Sequence, residues 1–132
     1  MQPLSTVILH HVTPQDSHYD WLIQPPAHAA LPDQKLWTAR IGLPPEHWPE
    51  NERLPLTPIA PHRPLYLTYE GPISSNRGHV TRVASGLYTP RLWTDHEILL
   101  DIHWQTPALV HRVHLHLTDE PWFIIVTRLQ LA

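Results

Sequence analysis

The chain of 132 residues contains no cysteine. This absence excludes a disulfide framework and a thiolate zinc site, and it makes the reducing cytoplasm the expected compartment. Long apolar runs are absent too, since no segment approaches the roughly 18 to 20 apolar residues that a membrane span requires. The N-terminus also lacks the basic stretch and apolar run of a signal peptide. We therefore expect a soluble cytoplasmic protein that has no membrane partner.

An excess of positive charge is lacking as well. Nine Lys and Arg stand against twelve Asp and Glu, so the formal net charge is −3 when His is neutral. Proteins that bind nucleic acid tightly and nonspecifically normally carry a clear basic excess. The composition argues against that class, but it is compatible with an enzyme that contacts one nucleic-acid end through a few Arg residues. The length suits a single domain over residues 1–132, which we expect to be a monomer.

No window has helical periodicity over a length that would predict a helix, and only four glycines accompany sixteen prolines. Proline breaks helix interiors and is confined to the edges and turns of sheets. The remaining pattern, short β-branched or aromatic runs bounded by turn residues, is typical of an all-β fold. The predicted strands span residues 5–11, 18–24, 35–41, 64–70, 79–85, 87–93, 97–104, 109–117 and 121–130.

This number of short strands in one small domain predicts a closed or nearly closed β-barrel, because closure removes exposed strand edges. The prolines cluster at residues 25–64. Within that region, segment 43–61 is predicted to be a long connection laid over the barrel. The six tryptophans, among them Trp93, Trp104 and Trp122 at strand ends, are expected to fill the core and plug the barrel.

The chemically richest stretch runs from residue 11 to residue 23. A strand from residue 19 to 23 places His18, Asp20 and Leu22 on one face, with the apolar and aromatic residues at 19, 21 and 23 on the other. The turn at residues 13–17 would return the chain to the preceding strand. That hairpin would add a second imidazole from His10 or His11. Two His and one carboxylate suit manganese, iron or zinc.

These residues belong to a longer set of motifs. The set is His11, His18-Tyr19-Asp20, Leu36-Trp37-Thr38-Ala39 and His62-Arg63-Pro64-Leu65-Tyr66-Leu67-Thr68-Tyr69-Glu70-Gly71-Pro72-Ile73. In order and approximate spacing, over residues 5–86, it resembles the phosphoesterase domain of bacterial DNA ligase D. The sequence Tyr-Glu-Gly-Pro-Ile-Ser is similar to the small stand-alone members of that family.

The resemblance implies a manganese-dependent 3′-phosphoesterase of DNA repair, a hydrolase that removes a 3′-phosphate or a 3′-terminal ribonucleotide. Zinc or cobalt are the alternative ions, and DNA repair proteins are the implied partners. The metal would be held by His11, His18 and Asp20, with His10 as the alternative to His11. His62 would contact the scissile phosphate and act with His18 in catalysis, and Tyr66 would donate a hydrogen bond to a phosphate oxygen.

The sequence departs from the family at the phosphate clamp. Active members carry an Arg two residues after the Asp, where this chain has Leu22, and their following acidic residue is Gln24 here. The gap from His11 to His18 is also one residue longer than in the family. A missing bidentate donor removes charge stabilisation from a phosphoryl transition state. The candidate replacements, as substrate-binding residues, are Arg40, Arg53 and Arg77.

Two further sets of residues leave alternatives open. Glu70 either shapes its turn or bonds to a ligand His. His111, His114 and His116 form a rival metal constellation, although the simpler interpretation is an amphipathic strand whose outer face is polar. At the level of function, the alternatives to the phosphoesterase are an inactive barrel that serves as a binding module and a small-molecule metalloenzyme. A closed, narrow pocket would favour the last, and an open basic groove would oppose it.

Overall fold

The computed structural model describes residues 3–130. Nine strands are present: β1 (Leu4–Val12), β2 (Ser17–Ile23), β3 (Trp37–Ile41), β4 (Leu54–Pro58), β5 (Gly71–Pro72), β6 (His79–Trp93), β7 (Glu97–Thr106), β8 (Leu109–His116) and β9 (Trp122–Leu129). Four 3-10 turns lie between them, at Ala27–Ala29, Pro32–Gln34, Pro45–His47 and Pro64–Leu67. Each of them follows or contains proline, which is tolerated at the start of a helical turn but prevents its extension. Within the described residues no helix is long and apolar enough to cross a membrane.

Eight of the strands form a closed antiparallel barrel, which confirms the predicted all-β barrel. The order around the barrel is β1-β2-β3-β4-β9-β8-β7-β6, and β6 pairs with β1 to close it. The short strand β5 is extra and pairs only with the beginning of β6. Closure leaves β1 and β6 without free edges along their paired lengths, so their backbone groups are satisfied within the sheet.

The long strand β6 makes closure possible. It was predicted as two strands, 79–85 and 87–93, whereas the structure has one continuous strand with register shifts at Ser85/Gly86 and Pro90/Leu92. Such bulges bend a strand and increase its twist. A Cβ on Gly86 would lie 2.5 Å from the His103 carbonyl oxygen. Glycine here therefore permits close approach of β7 and does not end the strand.

The barrel interior is filled by alternate side chains of every wall strand. Trp21, Trp48 and Trp104 are almost fully buried there. A second aromatic group, in which Trp37 packs against Trp93 and Trp122, lies partly buried against the same core. Both groups agree with the expectation that tryptophan fills and plugs the barrel.

A second, smaller core lies outside the barrel wall. It contains buried side chains from the outer face of the sheet and partly buried side chains from the segment that covers them: Val7, Leu9, Leu22, Leu36, Val80, Tyr66, Leu67, Tyr69 and Ile73. The covering segment, residues 60–73, is thus fixed to the wall by apolar burial. It brings His62 and Tyr66 of the second sequence motif beside the β1–β2 hairpin, whereas Gly71 and Pro72 pair with β6.

One strand prediction and one connection prediction are wrong in this region. Residues 64–70 form a 3-10 turn, because Pro64 begins a helical turn in which the Arg63 carbonyl accepts the N–H of Tyr66. Segment 43–61 is not simply a covering connection, since its last part is wall strand β4. Leu54 and Leu56 alternate into the interior there. The proline spacing concealed this short alternating pattern.

Candidate metal centre

Three potential ligand side chains meet on the outer face of the β1–β2 hairpin. The strands pair His11 with His18 and Leu9 with Asp20. The side chains of His11, His18 and Asp20 therefore lie next to one another on this outer face. One ligand atom from each of His11, His18 and Asp20 lies within 4.8 Å of the others. Asp20 is 2% exposed. Within residues 3–130 no other group of three His, Asp or Glu residues meets this distance.

His10, the alternative ligand, lies on the opposite face of β1. Its ring stacks on Tyr19 with 4.9 Å between the centroids, and Tyr19 packs against the interior core. Successive strand residues point to opposite faces, so only His11 reaches Asp20. The ring centroids of His11 and His18 are 4.8 Å apart in an edge-on arrangement.

Backbone hydrogen bonds orient two imidazole rings around Asp20. His11 Nε2 donates to the Arg77 carbonyl oxygen at 2.7 Å, and His62 Nδ1 donates to the Ala60 carbonyl oxygen at 3.1 Å. A neutral imidazole has one N–H, so the opposite nitrogen of each ring carries a lone pair. Those nitrogens face Asp20 Oδ2, His11 Nδ1 at 3.8 Å and His62 Nε2 at 3.7 Å. Histidines that bind metal ions usually donate their other ring N–H to a carbonyl or carboxylate oxygen in this way.

His18 completes the group from the other side. Its Nε2 lies 3.4 Å from Asp20 Oδ1 and accepts a hydrogen bond from Arg40 Nη2 at 3.2 Å. Its Nδ1 and Asp20 Oδ1 are both buried without a hydrogen-bond partner. Burial lowers the pKa of His18 below its ordinary value; Arg40 and His11 add to this effect and Asp20 opposes it. A buried carboxylate oxygen without a donor costs free energy unless a cation or proton meets it.

These residues could therefore hold a metal ion. Lone-pair nitrogens and an unpartnered buried oxygen are the donors that such an ion requires, and two imidazoles with one carboxylate fit a borderline divalent ion. The partnerless oxygen of Asp20 is the feature that separates this corner from an ordinary polar surface.

An open pocket of about 500 Å³ adjoins the cluster. His11 and Asp20 form its barrel side, whereas His62 and Tyr66 come from the covering segment. The rings of His62 and Tyr66 lie 5.7 Å apart, edge to face. The structure thus brings both motif residues to the ligand group, although they are separated from it by more than forty positions in the chain.

Three arginines border this site. Arg40 pairs across the strands with Asp20, and its Nε lies 3.8 Å from Asp20 Oδ1. Arg77 lines the pocket, and its Nε donates to the Ser74 carbonyl oxygen at 2.8 Å. Arg63 also lines it, over the Tyr66 ring at 5.8 Å. Sequence reasoning missed Arg63, although its position directly after His62 was the available signal.

The third arginine candidate lies elsewhere. The Arg53 guanidinium sits 4.3 Å from the Phe123 ring centroid and lines a different pocket. Arg53 precedes β4, where that strand pairs with β9, so the barrel wall carries it away from Asp20. The structure therefore does not bring Arg53 to the cluster.

The loop that carries Arg77 is pressed against the end of β1. Gly78 has a positive φ of +84°, and a Cβ there would lie 1.8 Å from the Val12 carbonyl oxygen. Only glycine allows this approach without displacement of the backbone. The approach places the Arg77 carbonyl over the His11 ring.

The residues that depart from the family have structural roles. Leu22 is fully buried in the outer core. Gln24 accepts the Ser5 N–H through its side chain. The Glu70 carboxylate accepts the backbone N–H of Arg82 at 3.0 Å and pairs with its guanidinium. Glu70 therefore holds β6 at this corner, and its recorded partner is not a histidine.

The rival constellation is divided between the two faces of β8. His111 is buried in the interior, where it accepts the Trp104 Nε1 hydrogen at 3.1 Å. His114 and His116 lie on the outer face, as expected for the amphipathic strand, and His116 stacks on Phe123. On this face His114 Nε2 lies 2.5 Å from a Glu97 oxygen. That carboxylate comes from the neighbouring strand β7, which the local sequence of β8 does not reveal.

No protein-family model matches this chain, and no curated protein matches it.

Proposed function

We propose that this protein is a divalent-metal phosphoesterase that processes nucleic-acid 3′ ends by removing a 3′-phosphate or a 3′-terminal ribonucleotide. One observation carries the proposal. The buried carboxylate of Asp20 has a partnerless Oδ1 beside His18, while its Oδ2 faces the oriented rings of His11 and His62 at the wall of an open pocket. His62 and Tyr66 stand in that pocket, as the resemblance to the ligase D domain requires.

His11, His18 and Asp20 are the residues that would hold the ion, with manganese preferred and zinc or cobalt as alternatives. When bound, the ion would polarise a phosphate oxygen and activate water. The bonds from His11 to the Arg77 carbonyl and from His62 to the Ala60 carbonyl keep the free ring nitrogens aimed inward. This orientation limits the reorganisation needed at the moment of reaction.

His62 and Tyr66 would act on the phosphate. The His62 ring is about a quarter exposed; with a proton on Nε2 as well as on Nδ1, it would steady a phosphate oxygen or protonate the leaving oxygen. The Tyr66 hydroxyl is a hydrogen-bond donor on the same side. Arg63 and Arg77 add positive charge at the rim, where arginine can bind a phosphate bidentately.

The pocket argues against a small-molecule metalloenzyme, because such a site encloses most of its ligand. It is open and bordered by arginines. The inactive binding module remains the second candidate, since fully buried Leu22 occupies the position of the family's phosphate-clamping Arg. The absence of cysteine supports activity in a reducing cytoplasm, as a monomer that meets DNA repair proteins at broken ends.

The test uses a single-stranded oligonucleotide with a 3′-phosphate and the full chain in manganese. We expect release of inorganic phosphate, and we expect His18→Ala to abolish it. The matched control is His103→Ala, which removes an exposed histidine of β7 and should keep full activity. Metal binding without turnover on 3′-phosphate or 3′-ribonucleotide ends would select the binding module instead.

A further inference from the structure

We propose that Arg40 gates the metal centre: its guanidinium occupies the lone pair of His18 that a cation needs, and a cation releases it to bind phosphate. The inference rests on the metal site of the proposed function. It assigns to one side chain both the control of metal affinity and the charge that the family obtains from the Arg missing at Leu22.

The first step is competition for one nitrogen. Arg40 Nη2 donates to His18 Nε2 at 3.2 Å, and this same nitrogen lies 3.4 Å from Asp20 Oδ1. An imidazole nitrogen has a single lone pair in the ring plane. It therefore cannot accept the guanidinium hydrogen and ligate an ion at the same time.

The second step is charge. Arg40 Nε lies 3.8 Å from Asp20 Oδ1, so the guanidinium already neutralises part of the carboxylate that would attract the ion. A divalent cation at this corner would meet a like charge at close range, which costs free energy even at the effective dielectric constant of a protein surface. Metal binding is thus favoured by movement of Arg40 away from the cluster.

The third step is freedom to move. The Arg40 side chain is 44% exposed, and among residues 3–130 it forms side-chain hydrogen bonds or ion pairs only with His18 and Asp20. Its backbone stays fixed by the pairing of Asp20 with Arg40 across β2 and β3. The guanidinium can therefore turn away from the ligands while the Arg40 backbone stays beside them. In that position the guanidinium can contact a phosphate bound at the metal bidentately.

Leu22 explains why this chain needs such an arrangement. Leu22 is fully buried under the covering segment, so a phosphate-binding side chain cannot stand at that position without opening the outer core. The neighbouring strand β3 offers other positions for such a side chain: Thr38 lies across from Leu22, and the next position on that face is residue 40. Arg40 occupies that position, directly across from Asp20.

The experiment titrates manganese into the full chain by isothermal calorimetry. We expect Arg40→Gln to bind manganese about tenfold more tightly than the unaltered chain, because a hydrogen bond and a like charge are both removed. Arg40→Lys should fall between the two, since it retains the charge but loses the planar fork. The control Arg53→Gln, which removes an exposed arginine away from the cluster, should change the affinity by less than about twofold.

Inorganic phosphate is the second probe, titrated at saturating manganese. We expect Arg40→Gln to bind it at least about fivefold more weakly. A loss of folding would weaken both ligands, whereas the gate predicts opposite changes in manganese and phosphate affinity. Equal or weaker manganese binding by Arg40→Gln overturns the gate, and unchanged phosphate binding overturns the release of the guanidinium to phosphate.

These titrations do not depend on turnover. A protein that binds manganese as described but processes no 3′ end would overturn the proposed function and leave the gate standing. If neither the unaltered chain nor Arg40→Gln binds manganese at millimolar concentration, the metal centre and the gate both fail.

Discussion

Asp20 is the residue on which the candidate site depends. It is buried among three imidazole rings and one guanidinium, yet its Oδ1 accepts no hydrogen bond. In the rings of His11 and His62, one nitrogen donates its hydrogen to a backbone carbonyl. The other nitrogen, which faces the Asp20 carboxylate, therefore carries a lone pair. Without a cation, this arrangement is destabilising for the folded chain.

Asp20→Asn should separate function from stability. We expect manganese affinity to fall at least about 100-fold, since even the loss of a supporting residue costs about 10- to 100-fold. In a chelating buffer, the free energy of unfolding should stay equal or rise by about 1 kcal/mol, because an amide N–H can donate to a histidine lone pair. Calorimetry and urea unfolding measure the two quantities.

The matched control for this prediction is Asp16→Asn. Asp16 lies in the adjoining turn with its Oδ1 3.8 Å from His18 Nδ1 and is 65% exposed. Its replacement should leave manganese affinity within about twofold, since exposed pairs contribute little. A fall in the chelated stability of Asp20→Asn by several kcal/mol would contradict the view that Asp20 is a strained, cation-seeking carboxylate.

His111, which lies away from the candidate site, makes the free energy of unfolding depend on pH. It lies in the barrel interior, where its ring stacks on Trp48 and accepts the Trp104 hydrogen. Burial lowers the pKa of His111 from 6.5 to about 4; nearby Arg128 adds to this effect and Glu50 opposes it. Between about pH 6.5 and 4, His111 is therefore protonated in the unfolded chain but neutral in the folded chain.

This linkage predicts a loss of stability in acid. As pH falls from 7 to 5, His111 alone should reduce the free energy of unfolding by about 2 kcal/mol. Urea unfolding at the two pH values measures the difference. His111→Gln should lower stability at pH 7 but remove that part of the pH dependence, whereas the exposed His103→Gln should keep it. If His111→Gln lost as much unfolding free energy between pH 7 and pH 5 as the unaltered chain, the buried neutral state of His111 would be contradicted.

At the scale of elements, the covering segment at residues 60–73 matters most. It is held by its apolar side chains on the outer face of β1 and β2, and it delivers His62 to the ligand group. Leu22 lies at the centre of this contact and is fully buried. The residue that distinguishes this chain from the ligase D phosphoesterase pattern is therefore also a packing residue that supports the site.

Introducing at position 22 the arginine of the ligase D phosphoesterases should accordingly fail to improve phosphate binding. We expect Leu22→Arg to lower the free energy of unfolding by at least about 3 kcal/mol, because it would bury an unpaired charge under the covering segment. It should not raise phosphate affinity. Leu65→Arg, on the same segment but 47% exposed, should cost less than about 0.5 kcal/mol. A stable Leu22→Arg with tighter phosphate binding would show that the segment opens readily.

At the scale of the whole molecule, the charge distribution limits how nucleic acid can bind. The formal net charge is −3, and the arginines near the pocket are few: Arg40, Arg63 and Arg77. Contact with an end should therefore be local. Each phosphate neutralised on a single strand contributes about 0.7 to the salt slope.

We expect the affinity for a 3′-phosphorylated single strand to fall with salt at a logarithmic slope of about 2, as three contacts would give. Fluorescence anisotropy over a series of salt concentrations, with manganese present, measures it. Arg63→Gln should reduce the slope by about one contact. A slope near that of a broad basic surface, above about 5, would contradict recognition of an end alone.

Much of the barrel could be predicted because strand alternation is a local property. The separation of His18 and Asp20 from Tyr19 and Trp21 follows from period two, and the structure has it. The errors fall where local pattern is weak. Strand β4 was hidden between prolines, and residues 64–70 looked extended because their apolar side chains are dense.

The sequence by itself determined the all-β class and the pairing of His18 with Asp20 on one face, since both depend on neighbours in the chain. Only the tertiary structure decided that His62 reaches Asp20, that Leu22 lies under a covering segment and that Arg53 is carried away from the cluster. The physical reason is barrel closure. It fixes which strands adjoin, and no local pattern of side chains contains that information.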